Sequence, residues 1–265
     1  MRVSFIGGGN MAQAIMGGLI HQGASVSDLL AVEPDTATQA KLSALHIPVT
    51  PQINEATLRA DLIVLAVKPQ VLQEAITPLV GGLNGQVIVS IAAGARIATL
   101  ASWLGGYRCI VRAMPNTPAL IQRGITGLYA TADVDAAQRA AAEAILGAVG
   151  KTHWVDQEAL LDVVTAISGS GPAYVFYFIE ALEQAAIDLG LAPDIAHLFA
   201  TETFVGGALL AAESSFSPAQ LRANVTSKRG TTERAIETFD KAELQARFIE
   251  GVKAACIRSR ELGNS

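Results

Sequence analysis

The sequence predicts an α/β protein, an N-terminal doubly wound sheet followed by an all-helical C-terminal domain. Three observations predict it. Short apolar β-type runs alternate with amphipathic stretches through the first part of the chain, the mark of βαβ units and a parallel sheet. Three glycines, Gly7-Gly8-Gly9, stand between the first such run and the first helical stretch. After Asp156 the strand pattern stops and Ala, Leu, Glu and Gln dominate, punctuated by Gly171-Pro172, Leu191-Ala192-Pro193, Ser217-Pro218 and Gly230. The expected division is a sheet domain over 1–155 and a helical domain over 156–265.

The strand candidates follow in order. Val3–Ile6, Leu29–Val32, Leu62–Val67, Val87–Ile91 and Cys109–Ala113 are short and mostly apolar, as strands covered on both faces must be. Met11–His21 and Asp35–Leu45 read as helices between them. A further β run, Gly124–Ala130, precedes an Ala-rich helix over Asp133–Leu146, and Lys151–Val155 reads as the last strand. The helical part is too thin to bury a core by itself, so packing against a second copy is expected.

Composition excludes several classes. The 265 residues carry a net charge of −5, which argues against nucleic-acid binding, where a basic patch is usual. Charged residues are 16%, low against the usual ~25%, and fit a chain that hides surface in a subunit contact. Uninterrupted apolar runs such as Leu62–Val67 fall far short of the ~20 residues of a membrane span, so no membrane is expected. Cys109 and Cys256 are far apart and form no CxxC or His/Cys cluster, so neither a disulfide framework nor a metal site is expected. The N-terminus has no signal-peptide layout, and a cytoplasmic location is expected.

The motifs cluster at strand ends. Gly7-Gly8-Gly9-Asn10-Met11-Ala12 holds the spacing Gly7-x-Gly9-x-x-Ala12 between a strand and a helix. That context marks a dinucleotide-binding, Rossmann-type turn: a tight bend, close approach of the backbone to a pyrophosphate, then helix–strand packing. The helix N-terminus offers free N–H groups to the phosphates. Glu33 follows the second strand near the ~20-residue spacing of an acid that reads the adenosine ribose, and taken alone it favours NAD over NADP. It is equally readable as a solvated loop acid, with Pro34 turning it aside. Lys68-Pro69 ends the Leu62–Val67 strand at the ligand-binding edge of the sheet, although Lys68 also reads as an ordinary exposed lysine.

Arg112-Ala113-Met114-Pro115-Asn116-Thr117-Pro118 makes a rigid polar loop at the same edge, either a plain turn or a wall of the nicotinamide pocket. Ser168-Gly169-Ser170-Gly171-Pro172-Ala173-Tyr174 opens a long helix, with glycines suited to close backbone approach. Val225-Thr226-Ser227-Lys228-Arg229-Gly230-Thr231-Thr232 is a hydroxyl-rich loop at a helix N-terminus, suited to a carboxylate and equally to N-capping. His21, His46, His153 and His197 stand outside all these motifs.

This set of motifs, with Ala66-Val67-Lys68-Pro69 and Ser90-Ile91-Ala92-Ala93-Gly94 in the same order, resembles the pyrroline-5-carboxylate reductases nearly end to end. The resemblance implies reduction of the cyclic imine 1-pyrroline-5-carboxylate to L-proline with NADPH or NADH, the last step of proline biosynthesis. It implies a helical dimerisation domain, an active site at the homodimer interface and, in many members, a decamer of five dimers. It implies that Ser227, with the backbone of Gly230 and Thr231, holds the substrate carboxylate, and that Thr232 hydrogen-bonds the ring nitrogen as the catalytic contact. Along the cofactor it places Asn54, Ala66, Val67, Lys68 and Pro69 beside the glycine turn, with Met114, Pro115, Asn116 and Thr117 near the nicotinamide.

One departure stands out: this chain has Lys228-Arg229 where the family usually has Pro-Gly. If that glycine uses a positive φ, Arg229 is strained by roughly 1 kcal/mol. Two other readings remain: a cofactor-binding regulatory protein without turnover, and a β-hydroxyacid dehydrogenase. The second expects a lysine near Val175, where Tyr174, Phe176, Tyr177 and Phe178 surround a valine.

Overall fold

The computed structural model describes residues 1–263. In chain order its sheet region runs β1 (Val3–Ile6), α1 (Asn10–His21), β2 (Leu29–Val32), α2 (Thr36–Ala44), β3 (Val49–Thr50), α3 (Glu55–Leu58), β4 (Leu62–Leu65), α4 (Pro69–Ile76), β5 (Val87–Ser90), α5 (Ile97–Trp103), β6 (Ile110–Met114), β7 (Gly124–Ala130), α6 (Ala136–Gly147) and β8 (Gly150–Trp154). α7 (Leu160–Val164) follows.

Every residue of β1, β4 and β5 is buried, which is why these strands lack polar alternation. β1 gives Phe5 to one core and Ile6 to another. The first core adds Ile15 and Met16 of α1 and Ile145 of α6; the second adds Leu72 of α4 and Leu100 of α5. Helices on both faces of one sheet follow directly from that division.

The strand order is β3-β2-β1-β4-β5-β6-β7-β8. β1 through β6 are parallel, and the chain winds outward from β1 in both directions. The first six strands thus have the doubly wound order with its switch point beside β1. β7 runs antiparallel to β6, which departs from an all-parallel expectation. The short 3-10 segment Thr117–Ile121 connects them, and a parallel return needs a crossover of a dozen or more residues. β7 and β8 pair in parallel across α6.

Observed ends differ from the sequence expectation by one or two residues at most strands. The Leu62–Val67 run stops at Leu65, leaving Ala66 and Val67 as the turn into α4. Asp35 and Asp135 lie outside their helices as N-caps, accepting from the N–H groups of Thr38 and Gln138.

The chain forms two compact units, Met1–Ser170 with the chain from Ala255 onward, and Gly171–Ala254. In the first unit, a buried polar network joins segments far apart in sequence. Asp162 is fully buried; its carboxylate accepts from Arg96 Nη2 at 2.7 Å and from Ser259 Oγ at 2.8 Å. Glu158 Oε1 accepts from Arg112 Nη1 at 3.1 Å and from the Ile97 N–H at 2.8 Å. Burial pulls the Arg112 guanidinium below its usual value, against the opposing pull of Glu158.

The second unit holds α8 (Gly171–Asp188), α9 (Pro193–Glu213), α10 (Pro218–Asn224), α11 (Thr231–Lys241) and the first turns of α12 (Leu244–Gly263). Tyr174 meets Phe248 edge-on with centroids 5.7 Å apart, and Phe178 packs on the same ring. Its helices expose large apolar side chains, among them Phe176, Leu198, Phe199 and Leu210. α9 is long and apolar enough to cross a membrane by length and composition alone. Continuous apolar runs did not reveal it because Asp194, His197 and Glu202 interrupt the sequence.

Candidate functional site

The carboxyl ends of β1, β2 and β4 lie side by side, because Ile6 pairs with both Val32 and Leu65. Three predicted segments therefore meet at one edge: the glycine turn after β1, Glu33 after β2, and Ala66-Val67 after β4. The Gly7 N–H donates to the Val32 carbonyl at 2.8 Å, and the Ala66 N–H to the Ile6 carbonyl at 2.8 Å. Gly7 has φ +99°, and a Cβ there would stand 2.8 Å from Val67 Cγ1 and 2.9 Å from the Ala66 carbonyl oxygen. The turn cannot be built at this position from another L-residue without displacing β4's exit.

Gly9 is the N-cap of α1 and supplies no capping side chain. A Cβ built on it would meet nothing within 4 Å. The first turn of α1 thus opens on free space at Gly9 and the exposed Asn10, with the positive end of the helix behind it, while Ala12 is buried in the core. That is the shape and polarity a pyrophosphate requires, so the residues present fit a dinucleotide. Gln13 braces the turn by donating Nε2 to the Gly8 carbonyl at 2.6 Å, a contact that the glycine pattern did not signal.

Glu33 is not turned aside by Pro34. Its Oε2 accepts from the Gly8 N–H at 2.8 Å and its Oε1 from the Asp35 N–H at 2.9 Å. Asn54 is the N-cap of α3; its side-chain oxygen accepts from the N–H groups of Ala56 and Thr57, and its amide donates to Thr50 Oγ1 at 3.1 Å. These bonds account for Asn54 locally. Lys68 is the exposed N-cap of α4, and Pro69 occupies the first helical turn, where its missing N–H is harmless.

β6 delivers Met114 to the same edge. Pro115 and Asn116 are buried, and Asn116 serves the scaffold: its Nδ2 donates to the Ser168 carbonyl at 3.1 Å and its Oδ1 accepts from the Ile125 N–H at 2.9 Å. Thr117 is exposed. The Ser168–Tyr174 motif is a discontinuity within helix: Thr165–Gly169 is one turn of π-helix, closed by the Ser170 N–H donating to the Thr165 carbonyl at 2.8 Å, and α8 starts only at Gly171. Such turns recur at functional sites. A Cβ on Gly169 would stand 2.6 Å from Met114 Cε, so the glycine admits the methionine.

In the second unit, Gly230 is the N-cap of α11 without a side-chain cap. The Gly230 N–H donates to the Ser227 carbonyl at 3.0 Å, closing a turn that lays the Ser227 hydroxyl over Gly230; a Cβ there would stand 2.5 Å from Ser227 Oγ. With the Gly230 N–H so used, the free backbone donors at this terminus are those of Thr231, Thr232 and Glu233. Among the described residues, none takes a hydrogen bond from or gives one to the hydroxyls of Ser227, Thr231 and Thr232. Hydroxyls and helical N–H groups gathered at a positive helix end suit a carboxylate.

Arg229 adopts φ +59°, so the position that usually holds glycine in the family resembled does require the left-handed conformation. Glu233, one helical turn later, accepts from the Arg229 N–H and steadies the strained residue. Arg229→Gly is expected to raise stability by up to about 1 kcal/mol, a Tm gain of about 2–4 °C, while Arg229→Ala keeps the strain and gives no gain. Thermal denaturation of the three proteins checks this.

Comparison with known proteins agrees with the geometry. Residues 158–262 match the pyrroline-5-carboxylate reductase dimerisation family, and residues 2–94 match the family described as NADP oxidoreductase, coenzyme F420-dependent. The pyrroline-5-carboxylate reductase of Pseudomonas aeruginosa is 44% identical, over 98% of this chain and 96% of that protein. The structure of a pyrroline-5-carboxylate reductase from Coxiella burnetii superposes with a TM-score of 0.91 at 38% identity, covering 100% of this chain and 99% of that one. The Plasmodium falciparum pyrroline carboxylate reductase, solved with NADP bound, gives 0.88 at 28% identity, covering 99% and 98%.

Proposed function

This chain belongs to the pyrroline-5-carboxylate reductase family, and from that membership we propose which of its residues carry the reaction. It reduces the cyclic imine 1-pyrroline-5-carboxylate to L-proline with NAD(P)H, as a homodimer. The observation that carries the assignment of residues is the uncapped N-terminus of α11, with the Ser227 hydroxyl laid over Gly230 and free hydroxyls on Thr231 and Thr232.

In this reading Ser227 and the first-turn backbone of α11 hold the substrate carboxylate. That grip fixes the ring, and positioning of this kind supplies several kcal/mol of a barrier. Thr232 hydrogen-bonds the ring nitrogen, which makes the C=N carbon a better acceptor and stabilises the nitrogen as its basicity rises. A threonine hydroxyl is too weak an acid to give up its proton, so the proton on the product nitrogen comes from the iminium form of the substrate or from water. Gly7 to Ala12, Ala66, Val67, Lys68 and Pro69 line the cofactor, whose nicotinamide supplies the hydride when bound. Met114 and Thr117 would lie near the nicotinamide, with Pro115 and Asn116 beside it and holding their loop. Asn54 is assigned to the cofactor by family likeness and to the cap of α3 by its bonds.

The functional division follows: 1–155 carries the cofactor, and 156–265 carries dimerisation and substrate. The apolar faces of α8 and α9 are read as surfaces covered by the second subunit, not by a membrane. We place the enzyme in the cytoplasm, with assembly of five dimers as its larger form; sedimentation velocity separates a dimer from a decamer.

The test follows oxidation at 340 nm. Ser227→Ala is expected to raise KM for the imine about tenfold, and Thr232→Ala to lower kcat about tenfold, the scale of one hydrogen bond to a charged group. Cofactor binding without imine-dependent oxidation in the wild type would favour a regulatory protein instead.

A further inference from the structure

We infer that Glu33 and Asp35 make this enzyme selective for NADH over NADPH. The inference rests on the cofactor site proposed above and adds its coenzyme preference. The two coenzymes differ only at the adenosine ribose, where NADPH carries a phosphate in place of a 2′-hydroxyl. In a doubly wound fold that ribose lies at the carboxyl end of β2, beside the glycine turn. Here the chain presents two carboxylates.

Glu33 is not free to swing away from an incoming phosphate. Its Oε2 is held by the Gly8 N–H at 2.8 Å and its Oε1 by the Asp35 N–H at 2.9 Å. Its carbonyl is held by Gln39 Nε2 at 2.6 Å. Asp35 is fixed as well: Oδ2 accepts from the Thr38 N–H at 2.8 Å and from Thr38 Oγ1 at 2.7 Å. Those two bonds draw the Asp35 carboxyl below its usual range.

Local cations offset them little: Lys41 pulls on Asp35 more weakly than the two Thr38 bonds do. Glu33-Pro34-Asp35-Thr36-Ala37-Thr38-Gln39 contains no Lys or Arg, and Lys41 stands on the last turn of α2. A phosphate dianion would meet fixed negative charge, and the Gly8 N–H that could answer it is already taken by Glu33. A ribose with both hydroxyls presents donors to the Glu33 oxygens, each of which keeps a lone pair free, and to Asp35 Oδ1. The charge arrangement therefore repels one coenzyme and hydrogen-bonds the other.

The test measures binding, apart from turnover, by titrating coenzyme fluorescence against the purified protein. The expected result is a Kd for NADPH at least about tenfold above that for NADH, as two fixed charges near a dianion imply even at high dielectric. Two variants remove charge: Glu33→Gln retains an oxygen for the Gly8 N–H and gives up the bond from the Asp35 N–H, and Asp35→Asn retains the N-cap of α2. Combined, they are expected to bring the two Kd values within about threefold, with circular dichroism unchanged. A wild type that binds NADPH as tightly as NADH overturns the inference. So does a double variant whose ratio matches the wild type. Binding of neither coenzyme overturns the cofactor site itself, and is told apart because no ratio exists.

Discussion

Gly7→Ala is expected to weaken coenzyme binding about 100-fold or more while leaving a folded protein. The residue has φ +99°, a conformation that costs an L-residue about 1–2 kcal/mol before any contact is counted. The added methyl would lie 2.8 Å from Val67 Cγ1 and 2.9 Å from the Ala66 carbonyl oxygen, and neither neighbour is the loose end of a long side chain. Relief must come from the glycine turn and the facing Ala66-Val67 exit, because β1 and β4 are buried along their length and paired on both sides. Moving that turn swings the α1 N–H groups away from the pyrophosphate they would hold. Fluorescence titration gives the affinity, and a Tm within several degrees of wild type shows that the sheet has survived. Unchanged affinity would mean that the dinucleotide does not sit on this turn.

That turn was legible in the sequence because its chemistry is local: strand, glycines and helix follow one another within Val3–His21. β7 was legible to the residue for the same reason, being bounded by Arg123-Gly124 and Thr131-Ala132-Asp133. Two-residue β3 and four-residue α3 were not, because elements so short carry no periodicity. The reversal of β7 was hidden because a β run shows its place along the chain but not its direction. Of the candidate residues, Asn116 was named on its motif and Asn54 on the resemblance alone, and the amides of both are engaged in the scaffold. The left-handed backbone at Arg229 was readable only because the family resembled has glycine there. The network around Asp162 left no trace at all. Its partners Arg96 and Ser259 are 66 and 97 residues away, and no local pattern links acids and bases at such separations.

That network carries the other large effect. Asp162→Ala is expected to destabilise the protein by about 3–5 kcal/mol, the usual loss when one partner of a buried ion pair is removed. Both carboxylate oxygens are engaged, one by Arg96 and one by Ser259, and the side chain is about 1% exposed. Alanine leaves the Arg96 guanidinium, itself 20% exposed, without its anion and the buried Ser259 hydroxyl without its acceptor. Arg96 is also the N-cap residue of α5, so the loss reaches the loop between β5 and α5. The end of α12 packs there: a Cβ on Gly94 would stand 3.3 Å from the Leu262 carbonyl oxygen. A Tm lower by roughly 10 °C is the corresponding shift for a chain of this size. Ser259→Ala removes only one hydrogen bond and is expected to take away about 1 kcal/mol. Asp162→Asn, which keeps an oxygen for one partner but abolishes the charge, should fall between the two. If Asp162→Ala unfolds no earlier than Ser259→Ala, the carboxylate is not paired as described, and the C-terminal turn is held by its apolar contacts instead.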